Sequence, residues 1–288
     1  MGDRNELLEL WGDVLGASDD TTVDEAVVAE LADYFDIDRD EARSRCDDYE
    51  RHTAEEWADH DRSTPDGLID YWNRRSPLFG ILMSHAHQYS EEHPASSVDI
   101  AEVLADRTPT TMLDYGVGPA TSSFFFERLG WQVTGADVSD TMLDFARWRA
   151  EKRHSECVFL DLRERELATG AYDVVVALEV MAHVPDIAAT LTRMRDALTP
   201  DGMLVFNVYA PPDGPCGHLF VGNHHVIRHV RSAGFERRPR IGKYYRYQRV
   251  EHNRVQHAIA VVKDVLRHNA FVAGGAQLVR GAARRVRR

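Results

Sequence analysis

The sequence contains little cysteine and no long apolar run. Its three cysteines, Cys46, Cys157 and Cys216, are far apart, and none belongs to a Cys-x-x-Cys pair. That pattern argues against a disulfide framework and against a zinc site, so we predict no bound metal. No apolar run approaches the roughly 20 residues of a membrane-spanning helix, and the start MGDRNELLEL lacks the features of a signal peptide. We therefore expect a protein of the reducing cytoplasm without a transmembrane segment.

Acidic and basic residues are unevenly distributed along the chain, whose formal net charge is −13. Residues 1–110 contain 9 arginines and 28 acidic residues, whereas residues 221–288 contain 16 basic and 3 acidic residues. A basic tail can bind nucleic acid or an anionic membrane, but this one lacks a recognised reading motif. We expect it to dock on the acidic part of the same chain or in a homodimer, without specific nucleic-acid binding.

The first hundred residues have the periodicity of helices. Apolar residues of the segment 5–60 fall on helical stripes, and Asp24 is a candidate N-cap for the second of these helices. The segment 63–94 is rich in aromatic residues and is interrupted by three prolines, which is typical of a segment that packs on another domain. We therefore predict an acidic helical cap over residues 1–95, a core domain over 96–251 and a basic helical tail over 252–288.

From about residue 100, short apolar strands alternate with amphipathic helices. Such alternation with short loops predicts right-handed crossovers and a parallel sheet, in a doubly wound α/β fold. Residues 235–250 lack an intervening helix and are predicted to form a final antiparallel pair. The five predicted parallel strands have the sequences TMLDY, WQVTGAD, CVFLD, YDVVVALE and GMLVFNVY.

The stretch MLDYGVGPATS, residues 112–122, places two glycines directly after the first of these strands. Gly116 and Gly118 allow a ligand to approach the backbone, because no Cβ intervenes. A dinucleotide-binding turn would have a third glycine at position 121, which is a threonine here, and Pro119 removes one N–H from a pyrophosphate cradle. A ligand with an adenosine end and no phosphates fits this turn, and S-adenosylmethionine is such a ligand.

Polar residues at the ends of the next strands lie in register with that turn. Asp137 ends the second strand, where a carboxylate can accept hydrogen bonds from both ribose hydroxyls. Asp161 ends the third strand, and either its side chain or the adjacent Leu162 backbone can meet the adenine edge. Leu178 and Glu179 end the fourth strand beside the same crevice. The complete predicted cofactor-binding set is Asp114, Tyr115, Gly116, Gly118, Asp137, Val138, Asp161, Leu162, Leu178 and Glu179.

Together these motifs resemble those of the class I S-adenosylmethionine-dependent methyltransferases, over residues 111–210. LDYGVGPATS resembles the first motif of that family, with Ala120 in place of a frequent third glycine. VTGADVSDTML, CVFLDL and YDVVVALEVMAHVPD resemble the second, third and fourth motifs. The resemblance implies a Rossmann-like seven-stranded sheet, donation of a methyl group and release of S-adenosylhomocysteine. The N-terminal helices are similar to accessory segments of methyltransferases that modify small molecules or sugars.

Candidate catalytic and substrate residues lie after the fourth strand and in the aromatic-rich segment. His183 follows that strand in EVMAHVPD, where its imidazole is either a general base or a residue that packs the loop. The segment 68–89 has too much apolar surface to remain in water, so we expect it to fold over the crevice rather than to buttress the sheet from behind. The predicted substrate contacts are Tyr71, His85, His87 and Tyr209.

We predict in-line transfer of a methyl group from S-adenosylmethionine to an oxygen or nitrogen of a small metabolite or sugar, with much of the rate supplied by alignment. A nicotinamide-dependent oxidoreductase is the alternative enzyme, and Pro119 and Thr121 disfavour it. A ligand-binding or scaffold protein that kept the pocket without catalysis is the other alternative. The sequence leaves open which small molecule or glycan accepts the methyl group, because the cap and loops carry no chemistry-specific motif.

Overall fold

Seven strands build the sheet of this molecule, whose computed structural model describes residues 3–89, 95–208, 217–219, 224–239, 244–250, 259 and 262. The strands are β1 (Thr111–Tyr115), β2 (Gln132–Asp137), β3 (Val158–Asp161), β4 (Tyr172–Ala177), β5 (Leu198–Phe206), β6 (Phe235–Arg237) and β7 (Tyr245–Arg249). The strands β1 to β5 are parallel to one another, and β7 pairs antiparallel with β5 and with β6. The five predicted strands and the predicted antiparallel pair are confirmed.

The order of the strands reverses at β1. Across the sheet the order is β3-β2-β1-β4-β5-β7-β6, so the chain moves outward from β1 in both directions. In a doubly wound sheet a ligand binds at this reversal, in the crevice at the carboxyl ends of the strands. The segments that follow β1, β2 and β4 therefore meet at one place on the molecule. The predicted Rossmann-like, seven-stranded doubly wound fold is confirmed.

Alternate side chains of the central strands enter two separate cores, as the pleat of a strand requires. Val174 and Val176 of β4 face the first core, whereas Val175 and Ala177 face the second. All four are fully buried. The strand therefore has the continuous apolar sequence that is usual for a parallel strand covered on both faces.

Helices cover both faces of the sheet. Among the connecting helices, α8 and α9 pack on the first core, whereas α10 and α11 pack on the second. Their bounds are α8 (Thr121–Arg128), α9 (Asp140–Arg153), α10 (Ile187–Ala197) and α11 (His224–Val230). The helices before β1 are α1 (Arg4–Val14), α2 (Val23–Phe35), α3 (Arg39–Asp47), α4 (Tyr49–Asp59), α5 (Pro65–Trp72), α6 (Arg75–His87) and α7 (Ser96–Val103). In the described part of the chain, none of the helices is long and apolar enough to cross a membrane.

The helices before β1 extend the first core. Trp11 of α1 lies edge-on to Phe125 of α8, with ring centroids 5.7 Å apart. Tyr34 of α2 makes the same kind of contact with Phe145 of α9 at 4.8 Å. The buried residues of both parts belong to one contiguous cluster. The predicted division of the chain at residue 95 stays a prediction, and the segments on either side of it share this core.

The second helix begins with a capping box. The Thr22 hydroxyl accepts a hydrogen bond from the Glu25 N–H at 3.3 Å, and the Glu25 carboxylate accepts one from the Thr22 N–H at 3.2 Å. These reciprocal bonds satisfy N–H groups that have no partner within the helix. The prediction that Asp24 is the N-cap was wrong, because Asp24 lies inside the first turn, where its charge still favours the helix dipole.

The close approach of α6 to α4 generates a first prediction. A Cβ at Gly80 would lie 2.5 Å from the Cδ2 of Tyr49. Alanine stabilises a helix interior by about 1 kcal/mol relative to glycine, but this overlap outweighs that gain. We predict that Gly80→Ala lowers the free energy of unfolding by about 1–2 kcal/mol in urea titrations. In a Tyr49→Ala background the same change should raise it, and a gain in the otherwise native protein would contradict the packing.

Candidate functional site

The turn after β1 contains two glycines with different structural roles. Gly116 and Gly118 have φ angles of 74° and 50°, in the left-handed region that favours glycine. A Cβ at Gly116 would overlap the Cγ2 of Val180, a residue that follows β4. A Cβ at Gly118 would meet no atom within 4 Å. Gly116 therefore allows the loop after β4 to pack on the turn, and Gly118 leaves open space beside it.

The carboxylate of Asp137 ties this turn to the end of β2. Its Oδ2 accepts a hydrogen bond from the Gly118 N–H at 3.0 Å, and its Oδ1 accepts from Val138 and Ser139 at 2.7 and 3.1 Å. Burial raises the pKa of Asp137, and these three backbone N–H groups oppose the shift. A carboxylate offers about four acceptor positions. The arrangement therefore leaves room for one further donor, such as a hydroxyl group.

Asp114 and Tyr115, the last residues of β1, are buried beneath the turn. The Oδ2 of Asp114 accepts a hydrogen bond of 2.8 Å from the Ser123 hydroxyl of α8. Burial raises the pKa of Asp114 to about 7, and the hydrogen bond from Ser123 opposes that shift. The ring of Tyr115 packs in the second core, so a ligand in the crevice would meet its backbone rather than its ring.

The polar groups that follow β3 already have partners within the protein. The Asp161 carboxylate accepts hydrogen bonds from the Arg163 backbone at 2.8 Å and from the Arg163 guanidinium at 2.7 and 3.1 Å. The bonds from the Arg163 side chain lower the pKa of Asp161. The N–H of Leu162 donates to the Asp137 carbonyl at 2.9 Å. Adenine contacts through Asp161 and Leu162 stay predictions, and the sequence reasoning did not identify Arg163.

The fourth strand is followed by a residue in a strained backbone conformation. Glu179 has a φ of 58°, which costs a residue with a side chain about 1–2 kcal/mol. Its N–H donates to the Oδ1 of Asn207 at 2.7 Å, and the Nδ2 of Asn207 donates to the Glu179 carboxylate. Asn207 is buried directly after β5. The sequence reasoning missed Asn207, although a lone amide in the apolar run GMLVFNVY is a usable signal. The neighbouring Leu178 packs against the first core.

His183 lies in a short 3₁₀ helix after β4. Its Nδ1 is 2.8 Å from the Gly217 carbonyl oxygen, and because a carbonyl only accepts, Nδ1 carries the hydrogen and Nε2 the lone pair. The rings of Trp72 and His218 each lie 4.8 Å from its ring. Burial lowers the pKa of His183 to about 4, against the opposing effect of the Gly217 and Glu179 carbonyls. His183 is therefore neutral at neutral pH.

The C-terminal end of α5 lies over the same crevice. Trp72 and Asn73 together accept three hydrogen bonds of 2.6–2.9 Å from the first turn of α9, and Trp72 also contacts His183. The segment thereby links the end of β2 to the end of β4. Tyr71, one of the predicted substrate contacts, is buried against the Trp72 ring. The donors to Trp72 and Asn73 are the Ser139 hydroxyl, the Asp140 N–H and the Thr141 hydroxyl.

The segment 68–89, predicted to fold over the crevice, divides into two parts with different positions. Its α5 part reaches His183, as described above. Its α6 part packs elsewhere, because Phe79 is buried in the first core and stacks on Phe35 of α2 with ring centroids 5.2 Å apart. The lid stays a prediction for α5, whereas α6 packs with α2 in the first core.

The two histidines that were predicted to contact the substrate, His85 and His87, lie in different environments. His85 of α6 contacts the start of α8, because its Nδ1 is 3.1 Å from the Thr121 hydroxyl oxygen. Burial lowers the pKa of His85 to about 3. His87 is exposed, and Tyr209 lies outside the described residues. The structure therefore places His85 beside the glycine turn and His183 beside Trp72.

Residues 113–204 match a family model described as "Methyltransferase domain". This range begins in β1, ends in β5 and includes the glycine turn, Asp137 and His183. The match confirms the predicted methyltransferase domain and, with it, S-adenosylmethionine as the cofactor of that domain.

Relatives of known name cover part of the chain. The ubiquinone biosynthesis O-methyltransferase of Rhodopseudomonas palustris (strain TIE-1) is 32% identical over 151 residues, which are 52% of this chain and 55% of that protein. The protein of the same name from Bradyrhizobium sp. (strain ORS 278) is 34% identical over 124 residues, 41% of this chain and 47% of its own. The chain thus spans about half the length of the curated relatives it matches. A solved structure of Haemonchus contortus phosphoethanolamine N-methyltransferase 2 with S-adenosyl-L-methionine has a TM-score of 0.49 and 18% identity, over 76% of this chain and 56% of that one.

We predict that alanine substitutions of the two glycines differ in their effect on stability. Each places a side chain in the left-handed region, at about 1–2 kcal/mol. Gly116→Ala also overlaps Val180, so its total loss should reach about 3–4 kcal/mol. Urea unfolding of the two variants measures the difference. Equal losses would show that Val180 does not constrain the turn.

We predict that His183 lowers the stability of the protein as the pH falls from 6.5 towards 4. The unfolded chain protonates this residue below about pH 6.5, whereas the folded pKa is about 4. The unfolded state therefore binds more protons across this window, and stability is lost at up to about 1.4 kcal/mol per pH unit.

The measurement is the difference in pH dependence between the native protein and His183→Gln. A difference is needed because Asp114 titrates in the same pH range. Its pKa is raised to about 7, so the folded protein keeps a proton that the unfolded chain releases. Asp114 therefore makes the protein more stable as the pH falls, which opposes the effect of His183. Urea unfolding at several pH values should give a shallower acid slope for His183→Gln. Parallel curves would contradict the buried neutral state of His183.

Proposed function

We propose that this chain, which carries a class I S-adenosylmethionine-dependent methyltransferase domain, transfers a methyl group to an oxygen or nitrogen of a small metabolite or sugar. A hydroxyl oxygen is the preferred acceptor. The observation that carries this preference is the neutral imidazole of His183, with its lone pair on Nε2, beside the ring of Trp72. The two curated relatives named above are O-methyltransferases, which supports an oxygen acceptor.

The residues around the glycine turn suit the proposed cofactor. When bound, S-adenosylmethionine supplies a methyl group carried on a positively charged sulfur. The space beside Gly118 lets a ligand approach the backbone, and Asp137 keeps an acceptor position for a ribose hydroxyl. Asp161 and Leu162 are proposed to meet the adenine edge. The carboxylates of Asp137 and Glu179 favour a cation over a ligand that carries phosphates.

His183 accepts the proton of the attacking hydroxyl in this proposal. Its Nδ1–H bond to the Gly217 carbonyl holds the ring in one orientation and leaves Nε2 as the acceptor. Such general-base catalysis contributes typically about 10²–10⁴-fold to a rate. A base with a pKa near 4 stays unprotonated over the whole physiological range. The remaining acceleration comes from alignment of the acceptor with the methyl group.

The fifth helix excludes water from the reacting groups. Its C-terminal residues Trp72 and Asn73 are held to α9 by three hydrogen bonds, which fix the backbone that carries the Trp72 ring beside His183. The Trp72 ring is an apolar wall beside His183. We propose that the acceptor binds between this wall and the end of β5.

Two experiments test the proposal against its alternatives. Calorimetric titration with S-adenosylmethionine and with NADH distinguishes a methyltransferase from a nicotinamide-dependent oxidoreductase. Transfer of a radiolabelled methyl group to a fractionated metabolite extract then distinguishes an enzyme from a silent binding protein. Binding of S-adenosylmethionine together with label in hydroxyl-bearing compounds is the expected result. Binding of NADH alone would overturn the proposal, as would S-adenosylmethionine binding without transfer to any fraction.

We predict that Asp137→Ala weakens the binding of S-adenosylmethionine by about 1–3 kcal/mol, because a charge-assisted hydrogen bond to the ribose is lost. The dissociation constant measured by calorimetry should rise roughly five- to 150-fold. Asp144→Ala is the matched control, since it removes a carboxylate of α9 that pairs with Arg147 on the surface. An unchanged affinity in folded Asp137→Ala would exclude the ribose contact.

We predict that His183→Gln lowers kcat by about a hundredfold while the dissociation constant of S-adenosylmethionine stays within about twofold. Glutamine keeps a donor for the Gly217 carbonyl but cannot accept a proton. In the native enzyme the acid limb of the pH profile should lie near pH 4. An acid limb near 6.5, or an undiminished kcat in the variant, would assign the base to another group.

A further inference from the structure

A buried arginine lies behind the glycine turn. Arg149 of α9 is fully buried, and its Nη1 donates to the Pro119 carbonyl at 2.5 Å and to the Thr121 hydroxyl at 2.9 Å. These two acceptors flank Ala120, which has a φ of 61° although it is not a glycine. Pro119 is itself buried, so its carbonyl depends on this donor for a hydrogen bond. The arginine therefore holds the part of the turn that lacks glycine.

The opposite charge for this arginine comes from the helical cap. Glu30 of α2 is 3.1 Å from the Nε of Arg149, and its other carboxylate oxygen is 2.6 Å from Arg153. Glu30 is nearly buried as well. Although burial acts to raise its pKa, Arg149 and Arg153 together lower it, so Glu30 is charged at neutral pH. The pKa of Arg149 is lowered by burial to about 10, which leaves the guanidinium protonated.

A second residue of the cap reaches the same turn. His85 of α6 is neutral, and its Nδ1 lies 3.1 Å from the Thr121 hydroxyl, which also accepts from Arg149. The hydroxyl can therefore accept from the guanidinium and donate to the imidazole at once. Glu30, Arg149, Thr121 and His85 form a continuous polar chain from α2 through the start of α8 to α6.

Burial of this ion pair is poorly explained by stability alone. An arginine and a carboxylate taken out of water lose their hydration, and an apolar pair of similar volume is often equally stable or more so. The guanidinium also lies 5.4 and 5.5 Å from the ring centroids of Phe124 and Phe145, an environment in which an apolar side chain would pack well. What an apolar residue could not provide is the two hydrogen bonds from Nη1 to Pro119 and Thr121.

We infer that Arg149 is a positioning residue for the cofactor turn, and that Glu30 of the helical cap sets its orientation. The cap is then part of the cofactor site as well as a cover for the acceptor. This inference rests on the proposed function, because it concerns binding of S-adenosylmethionine and of its product S-adenosylhomocysteine. Arg149 acts through the backbone of the turn and is not placed in contact with the reacting atoms.

Two substitutions separate a positioning role from a structural one. Arg149→Lys keeps a positive charge beside Glu30, but its single nitrogen cannot lie both beside Glu30, as Nε does, and at Pro119 and Thr121, as Nη1 does. Arg149→Met removes both the charge and the donors. Arg153→Met is the matched control, because Arg153 shares the Glu30 carboxylate and, instead of reaching the turn, donates to the Val14 carbonyl.

The readouts are the affinity for S-adenosylhomocysteine by calorimetry and hydrogen exchange of the amides between Gly116 and Ser122. For Arg149→Lys and Arg149→Met we expect an affinity lower by about tenfold or more and faster exchange in the turn, since small displacements of a preorganised site cost this much. The KM for S-adenosylmethionine should rise in parallel, with the KM for the acceptor unchanged. Arg153→Met should stay within about twofold of the native protein in each readout.

Unchanged affinity and unchanged exchange in folded Arg149→Lys would overturn the inference. If Arg149→Met does not fold, Arg149→Lys decides the question, because it preserves the ion pair. If the native protein binds neither S-adenosylmethionine nor S-adenosylhomocysteine, the proposed function fails. Hydrogen exchange of the amides between Gly116 and Ser122 then still decides whether Arg149 stabilises the turn, since that measurement needs no ligand.

Discussion

The backbone between Gly116 and Ala120 adopts the left-handed conformation at three positions, a geometry that costs free energy and has to be held by other groups. Each group that holds it comes from a different element. Asp137, at the end of β2, accepts a hydrogen bond from the Gly118 N–H of the turn. Arg149 of α9 donates to the Pro119 carbonyl, and Val180, in the loop after β4, packs on the turn. The turn therefore has its shape only when all three elements are assembled around β1.

The helices before β1 act on the site from two directions. From above the crevice, α5 brings Trp72 against His183 and is fastened to the start of α9. From behind the turn, α2 and α6 supply Glu30 and His85 to the chain of contacts that includes Arg149. One contiguous core joins these helices to α8 and α9. The crevice is thus formed by both parts of the chain, although the family match covers only residues 113–204.

Much of the core could be predicted because its signals are local. Runs such as TMLDY and YDVVVALE are short, apolar and bounded by turn residues, so they identify strands without tertiary information. Asp137 could be placed because parallel strands end at a common edge. The position of Arg149 was also predictable, since the apolar periodicity of α9 puts residue 149 on its buried face. Its partner Glu30 was not, because no local pattern connects two distant helices.

Other features depend on tertiary structure from the outset. The two halves of the segment 68–89 have similar composition, yet α5 lies beside His183 and α6 packs in the first core. The pairing of Glu179 with Asn207 joins the ends of β4 and β5, and neither residue signals the other in sequence. Polar residues on buried positions are the exceptions to a binary pattern, and such exceptions tend to cluster at functional sites.

The pairing of Glu30 with Arg149 also has a consequence for how the protein folds. The two residues are far apart in the chain. Closing a loop of that length costs entropy, and the contact offsets this cost only after it has formed. Short-range pairs such as β1 with β2 can form early, whereas the contacts behind the glycine turn must wait for both helices to arrive. During synthesis, α9 leaves the ribosome long after α2. Both helices nevertheless precede β3 to β7, so the contacts behind the glycine turn can form on the nascent chain before the sheet is complete.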